Sequence, residues 1–318
     1  TKIETRIEFA AALNPSVRSR KMTDNRQLKL HILGNGGPRP SRRAERYGTS
    51  CMLEFGEERI MVDCGPGTTY KMARMGLSPT QINTVFLTHH HSDHIVDLPC
   101  FALLRFDLDP GDLPPLRAYG PSPTVEFVDR LFGANGAFRP DIVARREHPV
   151  SHHGHVERGG TLPRPGMKVD AFDLDSGAVV EGKGWKATAV RVPHIDPYLT
   201  TLAYRIDTDR GSVLFLCDAA DAPELRPLAR GVDTFVTGLA MRNFKENEED
   251  ASHPIRGVSA DISEVVDIAT EAGIPRVVVI HCGSRSGDDV VAKIRRGYGG
   301  KGYDGCVKYP DELTTLAL

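Results

Sequence analysis

Histidines and an aspartate crowd the stretch Thr88-His89-His90-His91-Ser92-Asp93-His94, directly after the apolar run Val85-Phe86-Leu87. Imidazoles and carboxylates in such density are ligands for divalent metal ions. His89 and His91, two positions apart, point the same way from extended backbone. Asp93 and His94 follow on a turn and address a second point in space, so one loop can serve two ions. A solvated polar loop is the plain alternative. A chain with twelve histidines in 318 residues rarely places so many of them beside one apolar strand by chance.

Other candidate ligands lie at the ends of apolar strands. Trp185 to Val192 alternates and runs into Pro193-His194, Ser212 to Cys217 ends on Asp218, and Arg276 to Ile280 ends on His281. Any one of these alone would more often be a cap or a satisfied core residue. Placed alike, they bring several strand ends to one edge of the sheets. Strands are also predicted over Leu28 to Leu33, Cys51 to Phe55 and Arg59 to Val62, with a hairpin joining Thr201 to Asp207 and Ser212 to Cys217 through Thr208-Asp209-Arg210-Gly211. Helices are predicted over Thr68 to Met75 and Leu98 to Phe106, then from a Ser122 cap with Pro123 in the first turn, and over Asp261 to Ala272. Ile262, Val265, Val266, Ala269 and Ala272 share one face of the last, which Gly273 stops. Strands alternating with helices through both halves predict an α/β sandwich of two sheets between helices.

Two segments escape this pattern. Residues Thr1 to Gln27 mix sparse apolar positions with many charges and read as an N-terminal arm over the core or a partner subunit, ahead of a single domain from 28 to 318. From Gly133 to Lys168 the periodicity fails, prolines recur, and His148, His152, His153 and His155 cluster at no established ligand spacing. That stretch is expected to be an irregular inserted loop serving as a lid or a dimer contact.

The whole chain sets further bounds. With 40% hydrophobic and 26% charged residues it is an ordinary globular protein, long enough to bury a core without staples. A net charge of -2 gives no global field for a polyanion, although Arg39, Arg42, Arg43 and Arg46 form a local cluster. The six cysteines show no paired spacing and are expected to be reduced and structural. No run is long enough to span a bilayer and no secretory pattern opens the sequence, so no membrane partner and a cytoplasmic setting are expected. The sequence begins at Thr1 rather than Met, which leaves residues upstream open.

The His-x-His-x-Asp-His pattern resembles the signature of the metallo-β-lactamase superfamily, and its surroundings resemble the ribonuclease Z-like branch. Leu33-Gly34-Asn35-Gly36-Gly37-Pro38 is similar to that branch's opening glycine-rich loop. Met61-Val62-Asp63-Cys64-Gly65-Pro66-Gly67 is similar to its Asp-Cys-Gly turn. Pro115 to Pro121 and the stretch from His194 to Ile206 match later landmarks. The resemblance implies an αββα sandwich of two mixed sheets flanked by helices. It puts His89, His91 and His194 on one zinc ion, Asp93, His94 and His281 on a second, and Asp218 between them. Zn2+ suits this donor set, and Mn2+ or Fe2+ can occupy it. Two ions roughly 3.5–4 Å apart would hold a hydroxide as nucleophile, with Asp93 as its proton acceptor. Asp63 either orients a ligand histidine or simply forms the turn before Gly65.

Spacing bears on the substrate. His194 and Asp218 are 24 positions apart, where the tRNA-processing members insert a tRNA-clamping arm. Those members also carry a histidine at the start of the helix before the last metal histidine; here that position falls near Ser259, and His253 is the nearest histidine. A small organic substrate is therefore expected over nucleic acid, as an ester, lactone, phosphodiester or halogenated aromatic, with a tRNA 3'-end processing endonuclease as the alternative. Leu239, Met241 and Phe244 would wall the pocket, with His253 and Arg285 near the substrate. A metal-stabilised binding protein without activity is disfavoured, because the whole ligand set is present. A homodimer is expected.

Overall fold

The computed structural model describes residues 27–40, 46–241, 245, 253–282 and 287–318. The predicted arm, apart from Gln27, lies outside them. Two seven-stranded sheets face each other. The first contains β1 (Lys29–Asn35), β2 (Thr49–Phe55), β3 (Glu58–Val62), β4 (Thr84–Phe86), β5 (Leu116–Pro121) and β6 (Val169–Leu174), in that spatial order. The second contains β7 (Val179–Gly182), β8 (Trp185–Val192), β9 (Thr201–Thr208), β10 (Gly211–Cys217), β11 (Thr234–Thr237), β12 (Arg276–Val279) and β13 (Cys306–Lys308), again neighbour to neighbour. The final strand, β14 (Thr314–Ala317), returns to pair antiparallel with β1.

Both sheets are mixed for the same reason. Short turns join the antiparallel pairs β2 with β3, β7 with β8 and β9 with β10, and longer connections join the antiparallel pairs β1 with β2 and β8 with β9. The later strands pair in parallel, which requires long crossovers, and helices fill them. Those helices cover the outer faces, so β10, β11 and β12 are buried on both sides and their sequences are apolar nearly throughout. In β8 only Lys186 and Arg191 reach solvent fully, from otherwise inward-facing positions.

Three buried clusters correspond to the layers. One lies between the sheets and the other two between each sheet and its helices. At the heart of the first, Phe86 stacks on Tyr119 at 5.2 Å and meets Trp185 edge-on at 5.9 Å, with Tyr204 tilted against it at 5.0 Å. Burial raises the Tyr204 phenol well above its ordinary range, so it stays a donor, and it gives its proton to the Leu87 carbonyl at 2.8 Å. That bond ties the second sheet to the chain two residues before His89. The helix Leu98–Leu108, directly after the histidine-rich loop, buries Leu98, Phe101, Ala102 and Phe106. The helix Ile262–Glu271 opens on a reciprocal cap: Asp261 accepts from the Glu264 amide at 2.7 Å and the Glu264 carboxylate accepts from the Asp261 amide at 3.1 Å.

Two local expectations are corrected. Gly133 to Lys168 is not irregular: it holds the helices Arg139–Glu147 and Pro149–Glu157, with Pro140 and Pro149 in their first turns. Each helix buries a single residue, Ile142 in one and His155 in the other, so no apolar period was present to reveal them. Likewise Ser122 does not cap the next helix, which runs Thr124–Phe132. The Thr124 hydroxyl turns back to the Pro121 carbonyl at 2.7 Å, and the Val125 amide is taken by the Asp173 carboxylate at 2.8 Å.

Candidate metal centre

The strand ends meet at one edge. His89 sits three residues beyond β4, His194 two beyond β8, Asp218 one beyond β10 and His281 two beyond β12. Ser92–Ile95 forms a single helical turn that carries Asp93 and His94, with His91 in extended backbone just before it. Two groups of potential donor atoms result, each confined within 4.8 Å: His89, His91, His194 and Asp218 in one, and Asp93, His94 and His281 in the other.

Within the first, His91 Nδ1 lies 2.9 Å from His89 Nε2 and 3.1 Å from His194 Nε2. Within the second, Asp93 Oδ2 lies 3.0 Å from His281 Nε2 and 3.7 Å from His94 Nε2. Asp218 joins the two, because its Oδ2 is 3.6 Å from His194 Nε2 and 3.7 Å from His281 Nε2.

Electrostatics act on the donors in opposite directions, leaving His89 ready for a cation and His281 with a proton to release before it can bind one. Burial, reinforced by His94, His194 and His91, holds the His89 imidazole well below its ordinary pKa, so it is neutral with a lone pair available. Burial alone would also lower His281, but Asp218 and Asp93 outweigh it and push this imidazole up to about 9. Asp93 and Asp218 titrate below the usual carboxylate range despite burial that would raise them: the His281 hydrogen bond acts on Asp93, and the charges of His281 and His194 act on Asp218. His94 supplies the sharpest test of fit. Its Nδ1 donates to Asp63 Oδ2 at 2.7 Å, which leaves the buried Nε2 with no hydrogen-bond partner and facing the other donors. A buried ring nitrogen without a partner is costly unless something electrophilic meets it. The donor set of imidazoles and carboxylates, with no thiolate, fits Zn2+, Mn2+ or Fe2+.

Asp63 orients as well as turns. Its carboxylate accepts from His94, from the Thr88 amide at 2.7 Å and from the Thr88 hydroxyl at 2.9 and 3.0 Å. With its proton given to Asp63, the Thr88 hydroxyl receives His89 Nδ1 at 3.1 Å, turning His89 Nε2 inward. Asp63, Cys217 and His281 all adopt positive φ, at 59°, 51° and 50°, and every one of them stands at a strand end beside the site. Such backbone costs about 1–3 kcal/mol per residue and concentrates where a side chain has to be aimed. Gly65 permits close backbone approach at the site: a Cβ there would fall 2.0 Å from the Asp93 carbonyl.

Several partners carry no signal in residue type. Asn35 Oδ1 accepts from the His281 amide at 2.9 Å, which gives the opening glycine-rich loop a role at the site. The Val258 carbonyl accepts from His194 Nδ1 at 2.8 Å, and the Ser259 hydroxyl bonds Asp218 Oδ1 at 2.5 Å. His90, inside the motif, pairs instead with Thr124 at 3.0 Å and belongs to neither donor group.

The expected pocket residues fare differently. Leu239 is buried in the helix-side core and Met241 packs against that core. His253 accepts from the Ile255 amide at 3.2 Å in a local turn. Phe244 and Arg285 lie outside the described residues. The second histidine cluster is dispersed along one helix: His148 caps it, His152 bonds the Arg146 carbonyl at 2.6 Å, His153 pairs with Glu157 at 3.2 Å and His155 lies 3.2 Å from the Thr161 carbonyl. Among the described residues, no helix is long and apolar enough to cross a membrane.

Two mixed sheets between helices, with this convergence of histidines and aspartates at one edge, define a metallo-β-lactamase-type hydrolase fold. The chain belongs to that superfamily: residues 58–282 match the family model described as the beta-lactamase superfamily domain. It is 30% identical over 258 residues to a ribonuclease Z from Mycolicibacterium gilvum, covering 80% of this chain and 84% of that protein. A ribonuclease Z from Mycobacterium marinum is 28% identical over 261 residues, covering 80% of this chain and 86% of that protein. Among solved structures, the metallo-β-lactamase fold protein YhfI from Bacillus subtilis superposes with a TM-score of 0.67 at 16% identity, over 91% of this chain and 99% of that one. A diphosphatase of the PhnP family gives a TM-score of 0.63 at 16% identity, over 92% and 98%. Relatives of this kind do not support the expectation of a small organic substrate over nucleic acid.

Proposed function

We propose that the chain is a metal-dependent phosphodiester hydrolase with RNA as its substrate, in the manner of the ribonuclease Z relatives. The observation that carries the hydrolytic site is the meeting of two donor groups at Asp218, whose Oδ2 stands between His194 and His281 at 3.6 and 3.7 Å. His89, His91 and His194 would hold one ion, Asp93, His94 and His281 a second, with Asp218 serving both. Divalent ions bound there would acidify a water molecule and polarise the phosphoryl group. The chain's own part is to keep His89 neutral, to fix His94 through Asp63 and His194 through Val258, and to offer the Asp93 carboxylate as acceptor of the attacking water's proton. Identity to ribonuclease Z across 80% of the chain favours RNA among phosphodiesters.

A small phosphodiester or diphosphate is the second reading. It is favoured by the tight β9–β10 hairpin, which with its flanking loops takes up the positions between His194 and Asp218 and leaves no room for an RNA-clamping arm there. The PhnP-family diphosphatase is consistent with it. The test is a hydrolysis panel with zinc-loaded protein: a precursor tRNA, bis(4-nitrophenyl) phosphate, a lactone, a sulfate ester and a haloaromatic. Cleavage of the two phosphodiesters is expected, with the tRNA preferred. Turnover of the lactone or haloaromatic alone would contradict the proposal.

A further inference from the structure

We infer that Ser259 is a positioning residue of the metal centre, holding Asp218 so that a single carboxylate oxygen faces both donor groups. The inference rests on the metal-site reading above. Ser259 is nearly buried, and its hydroxyl donates to Asp218 Oδ1 at 2.5 Å. Asp218 Oδ2 is then the oxygen that faces His194 and His281. A carboxylate rotating freely about its last bond would exchange the two oxygens and blur that placement. With Oδ1 pinned, Oδ2 is the one presented.

The surrounding backbone makes this contact part of a brace. The residue before Ser259 supplies the carbonyl that accepts from His194 Nδ1 at 2.8 Å. The residue after it, Ala260, donates its amide to the Ala219 carbonyl at 2.8 Å and accepts from the Ala240 amide at 2.8 Å. The Ala220 amide in turn donates to the Pro193 carbonyl at 3.0 Å. Three loops that follow β8, β10 and β11 are thus laced to the segment 258–260, and Asp261 anchors that segment as the cap of the next helix. Consecutive residues of one segment orient two ligand side chains from two different strands. Within residues 258–260 the serine hydroxyl is the side-chain group that reaches a ligand, so it can be removed without touching the backbone lacing.

The experiment compares full-length wild type, Ser259→Ala and Ser259→Thr, each stripped of metal and reloaded. Zinc affinity is measured by competition with a chromophoric chelator, the ligand field by the visible absorption of the cobalt-substituted proteins, and folding by thermal unfolding of the metal-free forms. Ser259→Ala should bind zinc about 10–100-fold more weakly, the range for removing a hydrogen-bond partner of a metal ligand. Its cobalt spectrum should change and its metal-free unfolding midpoint should stay at the wild-type value. Ser259→Thr, which keeps the hydroxyl, should restore both metal readouts. Wild-type affinity and spectrum in Ser259→Ala would overturn the inference, as would a matching loss in Ser259→Thr accompanied by a lowered metal-free midpoint. A wild-type protein that binds no zinc would instead remove the site reading itself, and the inference with it.

Discussion

Two stretches of this chain are equally rich in histidine and come to opposite ends. His89, His91 and His94 leave a strand and enter a short turn, and their rings converge with side chains contributed by three other strand ends. His148, His152, His153 and His155 ride one helix, where each ring finds its own partner: a backbone amide, a carbonyl, Glu157, or the Thr161 carbonyl. Density of ligand-type residues therefore does not make a site. Convergence does, and it comes from strands that end together, backed by partners that fix each ring.

The difference can be broken most severely at the joint of the two donor groups. Asp218→Ala should lose metal from both groups and lower turnover by more than about a hundredfold, since removal of a ligand exceeds removal of its supporting partner. Elemental analysis with steady-state rates reads this, and full metal with unchanged turnover would take Asp218 out of the site. Asp63→Asn comes next. It weakens the contact that aims His94 and should cost about 10–100-fold in metal affinity while the chain still folds. An affinity equal to wild type would return Asp63 to a purely turn-forming role.

The helical cluster should show the reverse pattern. Alanine at His148, His152, His153 and His155 together should leave the metal content unchanged. The buried His155 should instead cost about 1–3 kcal/mol of stability through lost packing and its hydrogen bond, measurable by chemical denaturation. Metal loss in that variant would make the cluster a ligand source.

The smallest effect concerns the helix that supports the Ser259 segment. Burial, with help from the Asp261 charge, raises Glu264 from 4.5 to about 7. An acid whose folded pKa is raised contributes stability below its unfolded pKa and loses that contribution as pH rises through the folded one. This contribution should therefore fade between pH 4.5 and about 7. Glu264→Gln keeps a side-chain acceptor for the Asp261 amide and should flatten the dependence in that window. An unchanged slope in denaturation curves across these pH values would contradict the assignment.

Legibility in the sequence followed physical cause. β8, β10 and β12 were readable because their apolar runs stop abruptly at His194, Asp218 and His281. The helix after Asp261 was readable because Ile262, Val265, Val266 and Ala269 share one buried face. Ser259 and Val258 were not, because their partners are distant in the chain and a backbone carbonyl has no residue signature. The positive φ at Asp63, Cys217 and His281 likewise falls on residue types that do not announce it. The helices Arg139–Glu147 and Pro149–Glu157 were hidden by polar faces nearly all round.

The central claim is that the strand-end convergence, and not histidine density, builds a two-ion centre. Equilibrium dialysis of metal-stripped protein against zinc tests it most directly, with wild type beside the variant carrying alanine at His148, His152, His153 and His155. The account predicts two tightly bound equivalents per chain in both proteins. No tight zinc in the wild type, or a complement that disappears with the helical histidines, would contradict it.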